Sequence, residues 1–347
     1  EGSVGFLVQA IILVGGQGTR LRPLTYETPK QMLPLVGVPM IEVVLDSLRN
    51  YGISEAVLSL GYLPDRFMEA YPDSTVAGVS VRYAVEPEPL DTAGAIKFAA
   101  SAIDVRDTFL VINGDVLCDL DVSAMLDFHR ASGASATIAL HPVEDPSRFG
   151  VVPTDGDGRV LDFIEKPAPG EAPTNLINAG IYLFEPSALA EIPDGRRVSV
   201  ERETFPNLAK RGELFAWPTD AYWLDTGTPA SYLQANTDIL GGADRMLDVP
   251  VTDGSWCHPQ ATVDPTATLV RAVIDRGCVV GPGAHVEDAV LLPGAVVQQG
   301  ARVVSSIIGP HAVIGSLSEL GPICVVGSGE HVAPESSLSG DVRLGGV

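Results

Sequence analysis

The stretch Val8–Thr25, VQAIILVGGQGTRLRPLT, runs an apolar segment straight into a glycine-rich turn followed by two arginines. An apolar run that ends in such a turn reads as a buried parallel strand with a loop at its carboxyl end. Gly15, Gly16 and Gly18 let the backbone come close to a ligand and turn its N–H groups inward, a geometry that suits phosphate oxygens. Two familiar phosphate loops do not fit. A dinucleotide fingerprint would need glycine where Leu21 stands, and a P-loop would need Gly-Lys-Ser/Thr in place of Gly18-Thr19-Arg20.

Outward from this turn, the chain alternates strand-like and helix-like segments up to about residue 240. Pro39–Asn50 sets Ile41, Val44, Leu45 and Leu48 on one helical face, opened by proline and closed by Gly52. Ala56–Leu60, Val79–Val85 and Phe109–Ile112 read as strands, and Ala93–Ile103 and Ser123–Ser132 as helices. Phe149–Pro153 and Val160–Ile164 flank TDGDGR, a hairpin signal. The alternation predicts an α/β domain with a mostly parallel, Rossmann-like mixed sheet covered on both faces.

Beyond about residue 263 the rhythm changes. Ile274, Val280 and Val286 are six apart, and the triplet recurs as Leu291, Val297, Val303 and as Ile308, Ile314, Leu320, a repeat of seventeen residues. Val326, Val332, Leu338 and Leu344 carry the six-residue step onward. Hexads of aliphatic residues with glycine between them predict a parallel β-helix, each step forming one flat side. The expected organisation is a first domain over 1–241, a linker over 242–262 rich in Gly, Asp and Pro, and a hexapeptide-repeat β-helix over 263–347.

Composition narrows the partners. A formal net charge of −22 argues against nucleic acid and anionic membranes. No apolar run of about 18 residues is present, so no membrane span is expected, and no basic segment precedes the first apolar stretch as a secretory signal would require. The four cysteines, Cys118, Cys257, Cys278 and Cys324, are scattered without a CxxC pair, which fits a reduced, cytoplasmic setting.

Against this acidic background, Arg20 and Lys30 form a local cationic pair after the glycine turn, suited to phosphate oxygens. Asp115 follows the strand Phe109–Ile112, at the carboxyl end of a parallel sheet, where open α/β sheets bind ligands. A carboxylate there suits Mg²⁺, a hard cation that takes oxygen ligands and substrate phosphates. Asp225, between Trp223 and a Thr-Gly-Thr turn, is a comparable carboxylate, with a helix cap near Pro229 as its plain alternative.

The combination GGQGTRLRPLT with PKQMLPL (Pro29–Leu35) resembles the sugar-1-phosphate nucleotidyltransferases, also called nucleoside-diphosphate-sugar pyrophosphorylases. EPEPLDTAGAI (Glu86–Ile96), NGDVL (Asn113–Leu117), FIEKP (Phe163–Pro167), NAGIYLF (Asn178–Phe184), VSVERETFP (Val198–Pro206) and YWLDTGTP (Tyr222–Pro229) follow in the family's order. Within the family, PLDTAG, VSVERETFP and WLDTGTP are most similar to mannose-1-phosphate guanylyltransferases. The resemblance implies a left-handed β-helix and a reaction in which an NTP and a sugar 1-phosphate give an NDP-sugar and pyrophosphate. GTP and mannose 1-phosphate are the implied substrates, with dTTP or UTP and glucose 1-phosphate, or another sugar or cyclitol phosphate, as alternatives.

The resemblance further implies nucleotide binding by Leu13, Gly15, Gly16, Gly18, Thr19, Arg20, Thr92 and Gly94. It places the sugar phosphate on Gly150, Glu165, Lys166, Asn178 and Gly180, and Mg²⁺ on Asp115 and Asp225. Arg20, Lys30, Asp115 and Asp225 are the expected catalytic residues. A different class, a non-catalytic subunit that binds NDP-sugar, would have no use for the metal carboxylates. His258, His285, His311 and His331 are read as surface or coil-packing residues rather than as a second, acyl-transferring site. The sides of the β-helix are natural self-association surfaces, so a homo-oligomer is expected.

Overall fold

β1 (Gln9–Val14) is the strand expected from the apolar run, and it lies in the middle of a ten-stranded mixed sheet. The computed structural model describes residues 9–242 and 246–346. β1 runs parallel to β2 (Glu55–Leu60), which runs parallel to β3 (Val79–Val85), and on its other side β1 runs parallel to β4 (Phe109–Asn113). Beyond β4 the direction reverses. The strands β5 (Ala136–Pro142), β6 (Gly150–Val151), β7 (Ile164–Glu165), β8 (Leu176–Phe184) and β9 (Leu214–Pro218) complete this half. β8 is antiparallel to both β4 and β5, β6 joins β8 to β7, and β9 runs parallel to β5. The expected hairpin therefore exists as β6 and β7, with Thr154 bridging Val160 inside it.

The helices follow the apolar periodicity. α1 (Met40–Arg49) buries Ile41, Val44, Leu45 and Leu48, the face read from the sequence. α2 (Asp91–Ala100) starts earlier than Ala93 and ends earlier than Ile103, because Ser101, Ala102 and Ile103 bond three residues back instead of four. α3 (Val122–Ser132) is capped by the Asp121 carboxylate, which accepts from the Ala124 N–H, and closed by Gly133 in the left-handed region. Between helices and sheet lies a core that includes Ile11, Val57, Val111, Tyr182, Phe184 and Phe205.

The hexads fold as read. Ile274, Leu291, Ile308, Val326 and Leu344 stack in register along one parallel sheet. Val280, Val297, Ile314 and Val332 stack along a second, and Val286, Val303, Leu320 and Leu338 along a third. Most of these side chains are fully buried and form the core of the prism, the arrangement of a left-handed parallel β-helix. Arg271, Asp288, Ser305 and Ile323 occupy one corner in successive coils, all with positive φ. The N–H groups of Asp288, Ser305 and Ile323 each bond to a carbonyl of the preceding coil, which holds this costly conformation in place.

Two boundaries differ from expectation. The first β-helix strand is Trp256–Cys257, paired with Val273–Ile274, so the prism starts inside the span 242–262. Its first step carries Cys257 where later coils have an aliphatic residue, while Val263 and Leu269 already follow the hexad; Ala243–Arg245 lie outside the described residues. The chain also divides into compact units that ignore the cut near residue 241. Of the described residues, one unit holds those through Gly16 with Val44–Trp223, and the other holds Gln17–Val43 with those from Leu224 onward. In the second unit, α4 (Pro229–Gly241) grips the loop segment: Asn236 Oδ1 accepts from the Val36 N–H at 2.9 Å, and the Tyr232 hydroxyl donates to the Pro34 carbonyl. Trp256 fills the space beside Gly37, where a Cβ would lie 2.4 Å from its ring.

Candidate active site

The glycine turn is held open by specific contacts. In the first unit, Gly15 passes so close to Gly61 and Glu86 that a Cβ on Gly15 would lie 3.3 Å from Glu86 Oε1. Glu86 accepts from the Ser59 hydroxyl and the Leu90 N–H, so its carboxylate braces the strand end from below. The Leu13 carbonyl accepts from the Gly114 N–H at 2.9 Å, which ties the end of β1 to the turn carrying Asp115. Gly16 is exposed.

Within the second unit, Gly18 sits in the left-handed region with φ 61° and opens the single turn Thr19–Leu21. Its carbonyl accepts from the Leu21 N–H at 2.9 Å and from the Thr25 hydroxyl at 2.8 Å. A Cβ on Gly18 would lie 3.3 Å from Lys30 Cβ, so the missing side chain brings the lysine stem against the loop. The exposed Arg20 extends to Gly227, where a Cβ would meet Arg20 Nη2 at 2.6 Å and Asp225 Oδ1 at 2.8 Å. Arg20 and Asp225, over two hundred residues apart, therefore flank one glycine.

Asp225 is not the cap of the following helix. Thr228 is, through a capping box with Ser231, and Asp225 Oδ1 instead accepts from the Gly227 N–H at 2.8 Å. Asp115 sits at the carboxyl end of β4, after Gly114, where a Cβ would lie 2.6 Å from the Val14 side chain and 3.2 Å from that of Ile12. Both aspartates are half-buried. Each is a carboxylate, oxygen donor chemistry of the kind that suits a hard divalent cation.

The residues expected at the sugar end gather in the first unit around β6, β7 and β8. Gly150 pairs with Glu165 across the β6–β7 ladder, and a Cβ on Gly150 would lie 3.1 Å from Glu165 Oε2. Lys166, with φ 48°, forms an exposed ion pair with Glu165 at 3.0 Å. β8 changes register between Asn178 and Tyr182, and this bulge turns the Asn178 side chain onto its own strand. Asn178 Nδ2 donates to the Tyr182 hydroxyl, and Oδ1 accepts from the Gly180 N–H, both at 2.9 Å. Trp223 Nε1 donates to the Ala179 carbonyl at 2.8 Å, which stitches YWLDTGTP to NAGIYLF.

Three expected residues have packing duties that the sequence did not reveal. The space beside Gly180, expected to receive a sugar ring, holds the Asn113 amide, 2.6 Å from where a Cβ would lie. Gly94 is pressed against the Arg196 carbonyl, 2.5 Å from its would-be Cβ, and its N–H donates to the Val198 carbonyl. The Thr92 hydroxyl donates to Glu201 at 2.7 Å and accepts from the Val200 N–H at 2.8 Å. Thr92 and Gly94 thus dock VSVERETFP against the start of α2.

Residues that sequence reasoning missed are Glu86, Glu201 and Arg343. The first two lie inside quoted motifs, and their pattern carried no hint of which backbone they hold. Arg343 lies in the last coil, and its Nη1 donates to the carbonyls of Arg20 and Arg22 at 3.0 and 3.1 Å. Of the β-helix histidines, His285 bonds Glu287, and the His258 ring accepts from the Gln260 N–H.

With the fold and these motifs in place, the nucleotidyl transferase family matches residues 9–242, and the chain belongs to it. Residues 251–344 match the GMPPB C-terminal domain. Among similar proteins is a mannose-1-phosphate guanylyltransferase of Mycobacterium tuberculosis, 40% identical over 80% of this chain and 77% of the relative. Another is a mannose-1-phosphate guanylyltransferase catalytic subunit beta of Drosophila pseudoobscura pseudoobscura, 37% identical over 77% of this chain and 72% of the relative. Among solved structures, HddC from Yersinia pseudotuberculosis complexed with GMP-PN is 30% identical with a TM-score of 0.56, covering 66% of this chain and 98% of that one. No described helix is long and apolar enough to cross a membrane.

Proposed function

We propose that this protein transfers the guanylyl group of GTP to mannose 1-phosphate, forming GDP-mannose and releasing pyrophosphate. The observation that carries the reading is the full-order set of family motifs in a chain 40% identical to a mannose-1-phosphate guanylyltransferase. A phosphate oxygen of mannose 1-phosphate attacks the α-phosphorus as the bond to the β-phosphate breaks. The nucleophile is already an anion, so the site needs alignment and charge neutralisation rather than a general base.

In this reading Leu13, Gly15, Gly16, Gly18 and Thr19 cradle the triphosphate, and Arg20 and Lys30 neutralise charge on the departing pyrophosphate. Thr92 and Gly94 act on the base indirectly, by placing the start of α2. Gly150, Glu165, Asn178 and Gly180 shape the sugar subsite, and Lys166 exchanges its partner Glu165 for the incoming phosphate. Asp115 and Asp225 would hold Mg²⁺, which when bound supplies positive charge to the reacting phosphates. A reduced cytoplasmic setting and a homo-oligomer built on the β-helix belong to the same proposal; none of the described cysteines forms a disulfide.

The test is pyrophosphate release from GTP, ATP, UTP, dTTP and CTP, each offered with mannose 1-phosphate or glucose 1-phosphate, with and without Mg²⁺. Mg²⁺-dependent release with GTP and mannose 1-phosphate is the expected result. Release confined to dTTP or UTP with glucose 1-phosphate keeps the mechanism and overturns the substrates. Nucleotide-sugar binding without turnover overturns the enzyme assignment in favour of a binding subunit.

A further inference from the structure

The nucleotide loop rests on the last coils of the β-helix, inside one compact unit. Pro23 lies over two glycines of successive coils: a Cβ on Gly327 or on Gly345 would each stand 3.1 Å from its ring. Beside it, the strand Val342–Leu344 presents Arg343, which Asp341 Oδ1 holds by Nε at 2.6 Å. From that anchored position one nitrogen, Nη1, donates to the carbonyls of both Arg20 and Arg22. The turn between them is closed by short bonds of its own, Leu21 N–H to Gly18 and Arg22 N–H to Thr19, with the Thr25 hydroxyl on the Gly18 carbonyl.

We propose that Arg343 is a positioning residue for the nucleotide: the last β-helix coil sets the peptide planes that follow Arg20 and Arg22 and so fixes where the Arg20 side chain starts. The inference rests on the reading of Arg20 as a triphosphate contact. A charged donor to two carbonyls is among the stronger hydrogen-bonding arrangements, and it joins residues more than three hundred positions apart. Because one nitrogen makes both bonds, an ammonium group can replace the guanidinium, whereas an unbranched apolar side chain cannot.

The experiment compares the full chain with Arg343→Met and Arg343→Lys. Hydrogen exchange of the peptide covering residues 17–28 reports the clamp without any substrate. It is expected to quicken in the methionine variant by about tenfold and to return close to wild type in the lysine variant. In steady-state kinetics the methionine variant is expected to raise KM for the nucleotide about tenfold, with KM for the sugar phosphate unchanged and the lysine variant restored. Unchanged exchange in a folded methionine variant overturns the proposal. So does a loss of kcat without a change in nucleotide KM, or a lysine variant that behaves like methionine. If the wild-type protein turns over no nucleotide and sugar phosphate pair, the proposed function fails, while the exchange comparison still decides the clamp.

Discussion

Arg20 and Asp225 meet at Gly227: Nη2 of the arginine and Oδ1 of the aspartate both lie within 3 Å of the point where a Cβ on that glycine would be. Gly227 is buried, and its N–H is bonded to the same aspartate. Both threatened atoms are ends of side chains, which can yield. Gly227→Ala is therefore expected to keep its fold and melting temperature while displacing two groups of the site. Turnover should fall about 10- to 100-fold, since small misplacements cost that much. Unchanged turnover would separate Arg20 and Asp225 from the chemistry.

The aspartate after β4 allows a more direct test. Asp115→Asn keeps the shape of the turn and removes its charge, so at saturating Mg²⁺ turnover is expected to drop by about a hundredfold or more. Measured Mg²⁺ dependence should shift to higher concentration in the same variant. Near-normal turnover would exclude Asp115 as a metal ligand.

In the β-helix, Gly294 adopts φ 76°, and a Cβ there would lie 2.4 Å from the ring of His311 one coil on. Gly294→Ala should destabilise by about 1–3 kcal/mol through the forbidden conformation and the clash together. Adding His311→Ala relieves only the clash, so chemical denaturation of the double variant should recover part of the loss. Full recovery would mean that the backbone conformation costs nothing here.

Asp275 is buried in the first coils, and burial pushes its carboxyl above the usual carboxylate range despite the bond from the Arg276 N–H. A folded pKa above the unfolded value of about 3.9 gives a contribution that is complete below that pH and is lost as pH rises through the folded value. Asp275→Asn keeps an oxygen for Arg276 and removes the titration. It should melt with the wild type near pH 3 and about 2–4 °C above it at pH 7. An advantage that is flat with pH would contradict the assignment.

Much of this was legible because the signals are local. The six-residue step of Ile274, Val280 and Val286 needs no partner to be recognised, and the structure stacks those residues in register with the next coil. Asp115 was placed from one apolar run and a turn. What stayed hidden was decided by residues distant in sequence. The alanine-rich start of α2 gave no sign that Gly94 faces Arg196, or that Gly180 makes room for Asn113. The β-helix opens on Trp256–Cys257, a step without an aliphatic residue at the hexad position, so it starts ahead of Val263. The partnership of Arg343 with two loop carbonyls involves no motif, only the arrival of the last coil beside the first loop.

That the segment 17–43 groups with the β-helix has a consequence for building hybrids of this protein with its relatives. A graft joined at a single point near residue 242 would leave the recipient's loop facing a stranger's final coil, with Arg343 and Pro23 drawn from different parents. The exchangeable piece is discontinuous: a short early segment and a long late one that must travel together. A shuffled library cut at both seams should yield enzymes of parental nucleotide affinity where a single-crossover library yields folded ones with weakened nucleotide binding.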